Sequence, residues 1–163
     1  METTMDRTIR YLQDVHAAEK LAADLLDKQA DDKDAVAEIR LVAGENAREC
    51  WNRRDTIAAR IGALGGSVSS IKDFTNSVVG VVSDIWNSGH DREDKITMDA
   101  IKIHAALHAL HASYVALHSY AGFVNDNETV EISSKYAHES MLAAERMIPA
   151  IAASARSMVF THA

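Results

Sequence analysis

The chain has 163 residues, enough for one domain with a self-sufficient core, and 24 acidic against 17 basic side chains leave a net charge of −7. No cluster of Lys and Arg offsets that charge, which argues against a nucleic-acid backbone as partner. Cys50 is the one cysteine, so no internal disulfide framework exists. The first thirty residues lack the pattern of a signal peptide, and no run is apolar over the length of a membrane span, so the expectation is a cytoplasmic protein without a membrane partner.

Alanine is abundant, aromatics are 6% and Pro149 is the single proline, with little strict apolar/polar alternation; helix is favoured almost everywhere. From about Met5 to Gln29, the residues Leu12, Val15, Glu19, Ala22 and Leu26 recur at three- and four-residue spacing on one helical face. Glu19 therefore lies inside an apolar stripe. A second helix is expected from near Asp34 to the "ALGG" segment, whose paired glycines supply a left-handed turn past its end. Its stripe, Ile39, Val42, Asn46, Glu49, Arg53, Ile57, Ile61 and Leu64, is polar at the centre.

Ser67 to Gly89 mixes short apolar runs with Ser, Asn and Gly, as expected of a connector holding one or two short helices. Asp91 and Asp94 resemble the start of a third helix running to about Val124. "NDNE" turns the chain into a fourth helix, roughly Glu128 to Phe160, bent or interrupted at Pro149. Its inward stripe includes Ile132, Tyr136, Glu139 and either Leu142 or Ala143. The whole chain, residues 1–163, reads as a single all-α domain: an antiparallel four-helix bundle with one long central connection.

Three of the four helices thus place a glutamate in the middle of a buried stripe: Glu19, Glu49 and Glu139. Buried carboxylates are costly unless they are paired or bind a metal, and the metal solution in such bundles is a carboxylate site built from Glu and Glu-x-x-His. The bland alternative is that the stripes drift by a residue and some of these glutamates reach water.

The segments "YLQDVHAAEKLA", "IGALGGSVSSIKDF", "HASYVAL" and "HESMLAAERMIPAI" resemble, in that order and across nearly the whole chain, the bacterial YciE/YciF-type ferritin-like proteins. The resemblance implies a ferritin-like bundle that tends to dimerise, a two-metal carboxylate site and an association with stress responses, with no firmly assigned reaction. By that resemblance Glu19 matches the family's first-helix ligand, Glu49 its second-helix glutamate and Glu139, with a small gap before Pro149, its fourth-helix glutamate. The third helix departs from the pattern: where relatives resemble "FEHFEIASY", this chain has "ALHALHASY", so Leu107 and Leu110 stand at two glutamate positions and His108 at the histidine position. Arg53 stands where relatives carry Gln or His.

His104, His108, His111 and His118 fall within about 80° of one another on a helical wheel, beside the better core stripe of Leu107, Leu110, Tyr114 and Leu117. Three readings follow. They pack along a helix seam or dimer interface; or His108 and His111, with His16, bind a transition metal; or they form a pH-sensing interface. Cys50 has no histidine at nucleophile spacing and reads as a small packed residue.

Two functions compete. One is a non-enzymatic homodimer, structural or partner-binding, in which Arg53 pairs with the buried glutamates and the dinuclear metal is lost. The other is a metal-handling protein or oxidase whose rebuilt site draws on Glu19, Glu49, Glu139, His108 and His111 to hold iron, manganese or zinc. No physiological protein partner is legible.

Overall fold

A computed structural model of the chain describes residues 3–68 and 92–160. Four long helices account for almost all of these: α1 (Thr4–Ala30), α2 (Ala37–Ala63), α3 (Arg92–Phe123) and α4 (Asn127–Phe160). The expected short helices of the connector fall at positions outside the described residues, apart from Ser67 and Val68.

The helix ends follow local chemistry. Thr3 caps α1 reciprocally: its hydroxyl accepts the Asp6 N–H at 3.1 Å while the Asp6 carboxylate accepts the Thr3 N–H at 2.9 Å. Beyond α2, Gly65 takes the left-handed conformation (φ 79°), and the Gly66 N–H closes on the Ile61 carbonyl at 2.9 Å. Asn125 (φ 60°) repeats this geometry after α3, with the Asp126 N–H reaching the Ala121 carbonyl at 2.9 Å. Asparagine is among the few side chains that tolerate that backbone conformation.

Helix directions are fixed by contacts at known levels. Tyr120 donates to the Thr4 carbonyl and Gln29 to the Ile96 carbonyl, so α1 and α3 run antiparallel. Arg60 pairs with Asp126 and Glu128 while Arg146 reaches Asn46, so α2 and α4 do the same. Hence α2 and α3 point the same way, and the connection between them must travel the length of the bundle, on the order of 40 Å at 1.5 Å per residue. This is the crossover arrangement of ferritin-like folds.

Between the α1–α2 and α3–α4 hairpins lies one core, in which Leu12, Leu26, Ile39, Ile57, Ile61, Leu107, Leu110, Leu117 and Met147 are wholly enclosed. Pro149 does not interrupt α4, which continues to Phe160. The hydrogen bond that proline forfeits is the one to the carbonyl of Glu145, an exposed residue, where water can take the donor's place. Leu142 is 37% exposed and Ala143 is buried, which settles the inward position of that turn in favour of Ala143.

Candidate functional site

The middle of the bundle is polar. Glu19 of α1 has no solvent exposure, and Arg53 of α2 is 1% exposed. The Arg53 Nε donates to Glu19 Oε1 at 2.6 Å and Nη2 to Oε2 at 3.2 Å, a two-pronged pairing that suits the planar guanidinium. The Tyr114 hydroxyl of α3 donates to the same Oε1 at 2.7 Å. Arg53 Nη2 also lies 3.1 Å from Cys50 Sγ. Three helices thus converge on one carboxylate.

The remaining guanidinium nitrogen faces the other two glutamates. Arg53 Nη1 is 3.8 Å from Glu49 Oε2 and 3.8 Å from Glu139 Oε2, and it has no hydrogen-bond partner among the described residues. Both carboxylates stay partly open to solvent and have further partners. Arg146 donates to Glu49 Oε2 and through two nitrogens to Asn46 Oδ1, while Asn46 Nδ2 donates to the Ala143 carbonyl at 3.0 Å. Lys135 lies 3.8 Å from Glu139 Oε1. A shallow depression lined by Glu45, Arg48, Glu49, Asn52 and Arg146 opens over this side.

Electrostatics follow from this geometry. Burial pushes the Glu19 carboxyl above its usual range, and the Arg53 guanidinium, the Tyr114 hydroxyl and the Cys50 thiol pull it partly back. Burial alone would work against the charge on Arg53, but Glu19 outweighs it and holds the guanidinium above its ordinary value. Burial and the neighbouring Glu19 push the thiol of Cys50 up as well, the opposite of what a nucleophilic thiol needs.

The positions singled out in the sequence are distributed as follows. Glu19, Glu49, Glu139 and Arg53 meet at one level. Leu107 and Leu110 lie in the core with at most 1% exposure and contribute no donor atom. His108 is exposed, while the rings of His104, His111 and His118 lie along the α3–α4 seam. Their Nδ1 atoms stand 2.9, 2.8 and 3.2 Å from the carbonyls of Ala144, Ala137 and Val130. Seven-residue steps down α3 match seven-residue steps up α4. His16 sits against α2 instead, where burial, Arg54 and Lys20 depress its pKa despite Asp55. Among the described residues, no group of three or more His, Cys, Asp or Glu is placed to hold a metal ion.

The roles of Tyr114 and Arg146 were not read from the sequence; for the histidines the seam was expected, but not the carbonyl that each one meets. Signals for the first two exist: Tyr114 lies seven residues after Leu107, and Arg146 seven after Glu139, each two turns along the same face.

A family model described as a domain of unknown function, DUF892, matches residues 3–158. The chain belongs to this family. Its YciF-type character agrees with the order of the four segments in the sequence and with the fold. A solved protein from Xanthomonas campestris pv. campestris superposes with a TM-score of 0.80 at 21% identity, covering 98% of this chain and 99% of the other. The stress protein YciF of E. coli superposes at 0.77 and 15% identity, covering 96% and 99%. At such identities the likeness concerns the fold. No curated protein matches the sequence. Within this DUF892 chain, no described helix is long and apolar enough to cross a membrane.

Proposed function

We propose that this DUF892 protein is a non-enzymatic member of the YciF-type family in which Arg53 serves as a built-in cation where relatives are expected to carry a dinuclear metal. The single observation that carries this reading is the guanidinium itself: it grips Glu19 with two nitrogens and directs the third between Glu49 and Glu139. Two divalent ions need several anionic donors at one level. Here Glu19 is engaged by Arg53 and Tyr114, and Leu107 and Leu110 offer only hydrocarbon. The donor set therefore fits a two-metal centre poorly.

A neutralised, rigid centre suits a bundle whose work lies in binding. By analogy with the E. coli stress protein of the same fold, the expected setting is stress physiology; the proposed form is a cytoplasmic homodimer acting as a structural or partner-binding unit. One observation favours the second reading, a rebuilt metal-handling site: Glu49 and Glu139 approach one point while 41% and 34% of their side chains stay open to water.

Metal analysis separates the two. Protein purified without a tag or chelator and then exposed to iron, manganese or zinc should retain less than one equivalent at the bundle centre. Two equivalents lost together on changing Glu19 and Glu49 to Gln would establish the metal-handling reading, and a strictly monomeric mass in solution would remove the dimer.

A further inference from the structure

We propose that His104 and His108 form a surface site for an imidazole-preferring transition-metal ion of the Cu(II), Ni(II) or Zn(II) class, on the outer side of the α3–α4 seam and apart from the carboxylate cluster. The two residues are one helical turn apart on α3, so their side chains rise from the same face. Their ring centroids are 4.6 Å apart and the ring planes meet at 82°.

His104 is already held as metal-ligating histidines are held. Its Nδ1 lies 2.9 Å from the Ala144 carbonyl, and only an N–H can make that contact, so the proton is on Nδ1 and the lone pair on Nε2. The ring cannot turn without breaking this bond. His108 is exposed and can swing its ring to share an ion with His104 Nε2. Imidazole is the donor that copper, nickel and zinc favour, whereas hard ions such as Mn(II) prefer carboxylate and water.

His111 does not join them. It is seven residues from His104, about 10 Å along the helix axis and too far to share one ion with it, whereas the rings of His104 and His108 are already in contact. The pair therefore supplies two ligands, and water completes the coordination shell. The site is independent of the reading of Arg53, since no atom is shared.

The test titrates untagged protein with CuCl2 by calorimetry and follows histidine side-chain signals by NMR as NiCl2 is added. One saturable site is expected, with selective broadening of His104 and His108. Because His108 is exposed, His108→Ala should fold normally and weaken Cu(II) binding at least about tenfold, a floor set below the roughly 10²–10⁴-fold that linking two groups on one frame can add. His138→Ala, an exposed histidine elsewhere on α4, should leave binding unchanged. Equal affinity in the parent and His108→Ala would overturn the proposal. Equal losses in His108→Ala and His138→Ala would do so as well, identifying an adventitious ion only.

Discussion

Arg53 Nε and Glu19 Oε1 lie 2.6 Å apart with neither side chain more than 2% exposed, so this ion pair is shielded from water on all sides. Such a pair is not by itself a large source of stability, because desolvation offsets much of the attraction. Breaking it is another matter. Arg53→Met leaves Glu19 charged and unpaired in the core, at a cost of about 3–5 kcal/mol in denaturant unfolding. Adding Glu19→Gln and Glu49→Gln should recover much of that. A loss below about 1 kcal/mol for Arg53→Met would match an exposed pair and contradict the geometry.

The histidine ladder makes a separate claim. His111 gives its Nδ1 proton to the Ala137 carbonyl within a half-buried seam. His111→Leu keeps the apolar packing and removes the bond, so unfolding free energy should fall by about 0.5–1.5 kcal/mol, with iron, manganese and zinc content unaltered. Unchanged stability, or metal that vanishes with the substitution, would argue against a packing role.

Much of this was open to a reader of the sequence, and the boundary is instructive. Helical periodicity put Glu19, Asn46 and Arg53 on inward stripes, and all three are buried. The same periodicity placed Glu49 inward, yet 41% of its side chain is open, because a glutamate at the edge of a stripe can extend along the groove to meet Arg146. Cys50 lay outside the chosen stripe and is wholly enclosed, since a face packed by two neighbours is wider than one line of residues. Which carbonyl each histidine meets depends on the register between α3 and α4, and no local pattern encodes that. Helix ends shifted by no more than three residues, as with α2 starting at Ala37 rather than near Asp34.

Acid stability follows from two side chains. Burial raises the carboxyl of Asp126, but donation from the Thr129 hydroxyl and amide, together with Arg60, outweighs it and holds the pKa below the ordinary value. A depressed carboxyl pKa adds stability that is present above the unfolded value, near 3.9, and lost as pH falls through the folded one. His16, depressed chiefly by burial, acts in a higher window: below about pH 6.5 the unfolded chain takes up a proton that the fold resists, so stability falls on acidification there too. The melting temperature of His16→Gln should be flatter than the parent's as pH falls below about 6.5, and that of Asp126→Asn flatter below about pH 4. Parallel curves for parent and variants would contradict both assignments.

If Arg53 stands in for metal, restoring the family pattern should bring metal back. Arg53→Gln combined with Leu107→Glu and Leu110→Glu replaces the cation with carboxylates at the same level. This variant should bind two Fe(II) or Mn(II) per chain in titration, where the parent binds none at the centre. A folded variant with no gain would count against the equivalence of guanidinium and metal.

The most direct measurement is anomalous diffraction from crystals of the parent soaked in MnCl2. Manganese is a carboxylate-preferring ion, so it searches the cluster rather than the histidine pair. The account predicts no anomalous peak between Glu19, Glu49 and Glu139, with the Arg53 guanidinium in contact with Glu19. Two peaks about 3.5–4 Å apart among those glutamates, the spacing of a two-metal site, with Arg53 displaced toward solvent, would contradict it.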